Sequence, residues 1–287
     1  QLAAACLRTL RPLDPDRACG SLRTPGQRFS AKTVIAEPAA SGTMTPQQHD
    51  GDENMATAQT ANSTAKTARA PAPWTLSGCG YIAAIRCDSD FLDEDCFLEP
   101  EQVHSRRGRI AYMMLVDYTD SPVGPYQELL FIPGRVATMS GAWRWTISRI
   151  FVSTEASVSN GRENWGIPKE LADFDVHYDT TGRGCDEFQV ARDGHTFARM
   201  SFRPWGFSMP VTTRILPASM CTLVQAWRGR EFVFAPEASG RAGPAKMAEC
   251  AIDPDVFPDL TRGTVLTCLQ VPDFTMTFPV ARVDDCR

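Results

Sequence analysis

The chain has 287 residues, of which 43% are hydrophobic and 22% are charged, an ordinary composition for one large globular domain or two small ones. Its net charge of -5 argues against a protein that binds nucleic acid, because such proteins usually present a basic face to the phosphates. No run approaches the ~20 apolar residues that cross a bilayer, so we expect no membrane partner.

Histidine and cysteine offer little for a metal site. The four histidines are far apart along the chain, which also leaves little material for a Ser/His/Asp triad. The ten cysteines contain no Cys-x-x-Cys pair and match neither a zinc module nor a small disulfide scaffold. We therefore predict no metal site, reduced thiols and a cytoplasmic protein.

Residues 1–73 differ in composition from the rest of the chain. They are rich in Ala, Thr, Pro and Gln, and Phe29 is their one aromatic residue. Such a segment buries too little apolar area to offset the entropy of ordering, so it predicts a disordered leader. Two alternatives stay open: a mitochondrial transit peptide, or a gene-model artefact upstream of a true start at Met44 or Met55.

From Trp74 onward the pattern favours strands. Residues 109–118 and 128–137 are apolar runs bounded by turn residues, and 172–178 alternate between apolar and polar side chains with the period of a half-buried strand. Asp193-Gly194 stands between two further runs, a strong signal for a hairpin turn.

Helices are predicted to be few and short. One is expected near 153–165, where Ser153 or Thr154 can cap its first turn, and a second near 254–260. Alternation returns over 274–280, and no repeat or βαβ rhythm is present. The sequence predicts one mainly antiparallel β domain over 74–287, curled into a barrel or sandwich.

One lysine has an unusual setting. Only four of the 29 basic residues are lysines, and of the two in the predicted domain, Lys169 follows Trp-Gly-Ile-Pro, a set of apolar and stiff residues. Desolvation there is expected to lower its pKa from ~10.4, although reaching ~7 requires about 4–5 kcal/mol. A neutral amine can form a Schiff base with a ketone. A solvated turn lysine is the alternative from this local context.

The sequence around this lysine resembles a known family. Gly161-Arg162-Glu163 followed by Trp165-Gly166-Ile167-Pro168-Lys169 is similar to the signature of the acetoacetate decarboxylase family. Gly-Pro-Tyr-Gln-Glu-Leu at 124–129 resembles the segment that contributes the family's active-site glutamate, and Ala-Trp-Arg-Gly at 226–229 is a weaker match. The resemblance covers about 80–285.

The resemblance implies a closed antiparallel barrel, a buried pocket and a homo-oligomer. It makes Lys169 the Schiff-base lysine and Glu128 the pocket carboxylate, with no metal or organic cofactor. In this family the lysine is activated by desolvation or by a neighbouring cation, so the resemblance implies the same activation for Lys169. Arg162 is expected to hold the loop through a salt bridge or to bind a substrate carboxylate, and Trp165 to form a core or pocket wall.

Two departures from the family bear on the substrate. The family's second lysine is replaced by Glu170, which we expect to face away from Lys169 because adjacent residues on a strand point to opposite sides. Where decarboxylases carry another acidic residue, this chain has Met113 and Met114. The predicted function is decarboxylation of a larger or less polar β-keto acid. The alternatives are a Schiff-base aldolase or dehydratase, and a non-catalytic barrel that binds a small apolar ligand.

Overall fold

The computed structural model describes residues 69–286, so positions 1–68 of the predicted leader lie outside the described residues. The last part of that leader is described. Ala70 donates its backbone N–H to Asn160, and its carbonyl oxygen accepts from the side chains of Trp74 and Asn164. Ala70 therefore contacts the domain predicted for residues 74–287.

Strands dominate the described chain, joined by three short α-helices. The strands are β1 (Trp74–Arg86), β2 (Ile110–Asp120), β3 (Tyr126–Ile132), β4 (Gly134–Ala137), β5 (Trp143–Thr146), β6 (Arg149–Val152), β7 (Lys169–Leu171), β8 (Asp173–His177), β9 (Asp186–Arg192), β10 (His195–Pro204), β11 (Met209–Thr212), β12 (Leu223–Trp227), β13 (Arg230–Phe234), β14 (Glu237–Ile252), β15 (Thr264–Phe278) and β16 (Arg282–Asp285). The helices are α1 (Ser89–Glu94), α2 (Pro100–Ser105) and α3 (Glu155–Trp165), with 3₁₀ turns at Ala218–Met220 and Leu260–Arg262. None of these helices is long and apolar enough to cross a membrane.

The strands form two sheets. The main sheet has eleven strands in the order β7-β6-β3-β2-β1-β15-β14-β10-β9-β8, with β11 paired beside β10 along β14. The second has five in the order β16-β13-β12-β5-β4. Pairing is antiparallel except between β6 and β7 and between β5 and β12. The mainly antiparallel β fold with a few short helices is confirmed.

The main sheet curls around a first hydrophobic core. Strands β1 and β10 are separated in the sheet by β15 and β14, yet the rings of Tyr81 and Phe202 stack with centroids 4.4 Å apart. Phe151 of β6 and Phe197 of β10 also meet across the curl, with ring centroids 4.7 Å apart and planes tilted by 46°. Alternate residues of one strand point to opposite faces of the sheet, so the remaining side chains of each strand lie on the outer face of the curled sheet.

The outer face of β1–β3 carries a second core. Here Trp74 and Tyr118 pack with Trp165 of α3 and Phe234 of the smaller sheet. Because both faces of β2 and β3 are covered, these strands are almost continuously apolar in sequence. The candidate site lies in this second core.

Most predicted elements are present, with local differences. The apolar run 128–137 is two strands, because Pro133 has no N–H for a ladder and Gly134 has φ +148°. Asp193 and Gly194 both have positive φ, as a type I′ hairpin turn requires. The helix predicted near 254–260 is wrong: the chain makes a turn at 254–256 and then the 3₁₀ turn at Leu260–Arg262, and Pro258 between them has no N–H to continue a helix.

Candidate active site

The turn from α3 to β7 fixes the backbone of Lys169. Gly166 ends the helix in the left-handed conformation (φ +64°), and its N–H donates to the carbonyl oxygen of Arg162. A Cβ at Gly166 would lie 2.6 Å from the ring of Phe232, so both the conformation and the space favour glycine. Lys169 then begins β7, in parallel register with Ile150 of β6.

Gly161 makes room for the lysine stem. A Cβ added to Gly161 would lie 2.7 Å from Cδ and 2.9 Å from Cε of Lys169, closer than real carbon contacts. The methylene groups therefore pass directly over the helix backbone at this position. This contact gives a physical reason for the glycine of the Gly-Arg-Glu sequence.

The head of Lys169 meets three acceptors. Its Nζ donates to Glu128 Oε2 at 2.7 Å, to Ser157 Oγ at 3.0 Å and to the Tyr126 hydroxyl at 3.4 Å. The side chains of Lys169 and Glu128 are each only 5% exposed, so this is a buried ion pair. Tyr118 donates to the other carboxylate oxygen of Glu128 at 3.3 Å.

A small cavity adjoins the ion pair. Its volume is about 30 Å³, which is the room of about one water molecule. Apart from the ion pair and the hydroxyl groups of two tyrosines, its walls are apolar. The lining side chains are Trp74, Leu76, Tyr118, Tyr126, Glu128, Leu130, Ile147, Ile150, Trp165, Ile167, Lys169 and Phe278.

The electrostatics of the lysine differ from the expectation. Burial alone lowers the pKa of Lys169, but the charge of Glu128 and the hydrogen bonds to Glu128 and Tyr126 together raise it above the ordinary value. The expected lowered pKa is therefore wrong for the resting site, because the Glu128 carboxylate contacts the amine and stabilises its charged form. Burial also raises the pKa of Tyr118 and Tyr126, so both phenols stay neutral.

Glu170 faces away from the amine, as predicted. Its carboxylate accepts hydrogen bonds from Arg149 and, at 2.6 Å, from Arg192 Nη1. These partners lie on the opposite side of β7 from the cavity. The replacement of a second lysine by glutamate therefore places no carboxylate beside Lys169 Nζ.

The other two predicted residues have different places. Trp165 is a wall of the cavity: it is buried, it meets Trp74 edge to face at 5.1 Å, and its Nε1 donates to the Pro279 carbonyl. Arg162 is half-buried on α3 and is absent from the cavity lining. Its guanidinium makes no ion pair within residues 69–286, so the expected salt bridge is not present there and its backbone carbonyl is what holds the turn.

Sequence reasoning missed Ser157, Tyr118 and Tyr126. Signals for two of them were present: Tyr126 is two residues before Glu128 and so shares its face of the strand, and Ser157 is four residues before Gly161 on the helix. Tyr118 lies opposite Tyr126 because β2 pairs with β3, and this register cannot be read from the sequence alone. Over residues 69–286 no group of three His, Cys, Asp or Glu side chains could hold a metal ion.

Comparison with known proteins points to one family. Residues 82–218 match the family described as acetoacetate decarboxylase. This range includes the segments around Glu128 and Lys169. No curated protein sequence is significantly similar to the chain. The resemblance to the acetoacetate decarboxylase family is confirmed.

Solved structures share the fold at low sequence identity. An acetoacetate decarboxylase from Legionella pneumophila is 16% identical, with a TM-score of 0.54 over 75% of this chain and 88% of that one. An acetoacetate decarboxylase-like enzyme from Sphingomonas wittichii is 13% identical, with a TM-score of 0.56 over 76% and 95%. The enduracididine biosynthesis enzyme MppR, complexed with the condensation product of pyruvate and imidazole 4-carboxaldehyde, is 15% identical, with a TM-score of 0.52 over 75% and 90%.

Proposed function

We propose that this acetoacetate decarboxylase-like domain forms a Schiff base between Lys169 and the carbonyl group of a small-molecule substrate, and that it decarboxylates a β-keto acid through that intermediate. The supporting observation is the buried contact of 2.7 Å between Lys169 Nζ and Glu128 Oε2. It joins the one amine in the cavity lining to a carboxylate that can take and return its proton.

The ion pair is compatible with a nucleophilic lysine. The raised pKa describes loss of the proton to solvent, whereas Glu128 can take it directly along the short hydrogen bond. This transfer converts two buried charges into two neutral groups, which the apolar walls favour. The neutral amine is then generated inside the site.

Imine formation then needs only these two residues. The lone pair of Nζ adds to the carbonyl carbon, and the Glu128 acid protonates the oxygen. Glu128 takes a proton from the nitrogen and returns it to the hydroxyl group, so that water leaves and a protonated iminium remains. Atoms and charge balance, since one ammonium and one carbonyl give one iminium and one water.

Decarboxylation follows from the iminium. The electrons of the bond to the carboxylate flow into the iminium as CO₂ leaves, and the resulting enamine takes a proton from solvent at carbon. Water then adds to the new iminium, which releases the ketone and returns Lys169 as an ammonium. The iminium is itself the electron acceptor, so no step of this sequence uses a metal or an organic cofactor. Because the cavity holds about one water, its lining side chains must move to admit a substrate.

A second candidate is proton abstraction followed by aldol-type condensation. Among the lining residues Lys169 is the one cation, so no further cation is present to hold a substrate carboxylate beside Glu128. With a neutral ketone or aldehyde, the Glu128 carboxylate can instead remove a proton from the carbon next to the iminium. The resulting enamine attacks a second carbonyl, in keeping with the condensation product bound to MppR.

Borohydride trapping with a panel of carbonyl compounds tests both reactions. Wild type should gain one reduced adduct on the peptide that contains Lys169, and Lys169→Arg should gain none. Lys246→Arg is the matched control, since Lys246 is exposed on β14 and is the other lysine of the described chain. CO₂ release from β-keto acids supports decarboxylation, and adducts with neutral ketones alone support condensation.

The same experiment separates an enzyme from a binding protein. A non-catalytic barrel would bind the compounds without forming an adduct, and an adduct on Lys246 would contradict the proposal. The expectations of a homo-oligomer and of a cytoplasmic location stay predictions.

A further inference from the structure

One face of α3 supports Lys169 from its stem to its head. Ser157 and Gly161 are four residues apart and therefore lie on the same face of the helix. Gly161 leaves room for Cδ and Cε, and Ser157 Oγ accepts from Nζ at 3.0 Å. The helix thus limits both where the lysine lies and how its nitrogen can rotate.

We infer that Ser157 is a positioning residue that aims the lone pair of the Lys169 amine at the substrate carbonyl. This inference rests on the proposed Schiff-base function. An ammonium group carries three hydrogens, and here it meets three acceptors, Glu128, Ser157 and Tyr126.

Proton transfer to Glu128 converts this arrangement into an aimed nucleophile. Two hydrogens stay on nitrogen and remain donated to Ser157 and Tyr126. The lone pair then occupies the remaining tetrahedral position, which pointed at Glu128. When the Glu128 acid moves aside to admit the substrate, a carbonyl carbon can take this direction, and the acid then lies beside the carbonyl oxygen, which needs a proton.

Ser157 is held firmly enough for this role. It is fully buried in the first turn of α3, and its N–H donates to Oγ1 and to the carbonyl oxygen of the capping residue Thr154. The Tyr126 hydroxyl is the other hydroxyl acceptor of Lys169 Nζ. The 3.4 Å contact with Tyr126 is long, which makes Ser157 the stronger of the two.

Removal of the serine hydroxyl changes the rate of imine formation in opposite directions, depending on whether Ser157 acts through the pKa of Lys169 or through the orientation of its amine. A hydroxyl oxygen that accepts from the ammonium stabilises the charged form, so Ser157→Ala should lower the pKa of Lys169. That change alone leaves more free amine and speeds imine formation at a fixed pH. A poorly oriented amine slows imine formation instead, and we expect a decrease of about ten-fold at saturating ketone, because orientation of the reacting atoms contributes directly to the rate.

The experiment compares four forms of the full chain: wild type, Ser157→Ala, Ser157→Thr and Ser159→Ala. Ser159 lies on the same helix, and its hydroxyl donates to Glu155 away from the site. Single-turnover borohydride trapping of a ketone gives the rate, and lysine-selective ¹⁵N labelling follows the Nζ signals, of which four are expected. Ser157→Ala should trap slowly with a downshifted Lys169 midpoint, whereas Ser157→Thr and Ser159→Ala should trap at nearly the wild-type rate.

Each outcome decides a different claim. Trapping by Ser157→Ala that is as fast as wild type or faster overturns the aiming role and leaves the Schiff-base function standing. An equal loss in Ser159→Ala also overturns it, since the effect would then belong to the helix in general. If Ser157→Thr does not fold, Tyr126→Phe removes the other acceptor and must slow trapping less than Ser157→Ala. No adduct on wild type with any carbonyl compound overturns the proposed function itself.

Discussion

Replacing Gly161 by alanine should displace the lysine while leaving the fold intact. The new Cβ would lie 2.7 Å from Cδ of Lys169, so the stem must retreat by roughly 0.7 Å to restore an ordinary contact of 3.4 Å. The hydrogen bonds from Nζ to Glu128 and Ser157 are 2.7 and 3.0 Å long, and a retreat of this size takes the second beyond the limit of a hydrogen bond.

The expected effects on stability and activity differ in size. Alanine in place of a helical glycine stabilises by about 1 kcal/mol, whereas overpacking costs about 1–3 kcal/mol. The free energy of unfolding should therefore change between zero and a loss of about 2 kcal/mol. A misplacement of about 1 Å in the reacting groups can cost ~100-fold in rate, and we expect a loss of that order in imine formation.

Urea unfolding and borohydride trapping measure the two effects on the same samples. The change should also be made in a Lys169→Ala/Glu128→Gln background, where the clash is absent and Gly161→Ala should stabilise by about 1 kcal/mol. Trapping at the wild-type rate, or the same change in stability in both backgrounds, would refute the contact between Gly161 and the lysine stem.

Four further outcomes follow from the ion pair and its neighbours. Lys169→Arg should lose adduct and turnover because a guanidinium stays protonated; turnover that survives in a product assay would contradict the mechanism. Glu128→Gln leaves a buried ammonium unpaired and should lower the free energy of unfolding in urea by about 3–5 kcal/mol, much of which the double variant Glu128→Gln/Lys169→Met should recover. An equal loss in the single and the double variant would argue against the ion pair. Glu170→Gln should trap ketones at the wild-type rate, with at most about 1 kcal/mol lost through Arg149; slower trapping would place Glu170 in the site. Because the folded pKa of Lys169 is raised, the stabilisation by the pair is complete below its ordinary value of 10.5 and is lost as pH rises through the folded value. The melting temperature of wild type should therefore fall more steeply at alkaline pH than that of the double variant, and parallel curves would contradict this.

The sequence predicted the features that depend on local pattern. Helix α3 was expected near 153–165 and runs from Glu155 to Trp165, because Thr154 caps its start and Gly166 ends it. The Asp193-Gly194 turn was predicted for a similar reason, since its residue types suit positive φ. Both cases rest on a few neighbouring residues and need no knowledge of the tertiary structure.

Features that depend on distant contacts were not predictable in the same way. Glu128 and Lys169 were both assigned to the pocket, but nothing in the sequence set their separation, and the pKa of the lysine changes direction with that distance. Helix α2 was not predicted, for two reasons. Its capping box uses Glu99 in place of the usual serine or threonine, together with Gln102, and none of its residues is buried, so the sequence has no apolar periodicity there.

The two cores share strands, so residues that stabilise the fold alternate along one strand with residues that line the cavity. On β3, Leu129 and Phe131 belong to the first core, whereas Glu128 and Leu130 face the cavity of the second. A substitution at an even-numbered position of this strand can reshape the cavity without touching the packing of the first core. The chemistry of the site can therefore vary at alternate positions of one strand with little loss of stability.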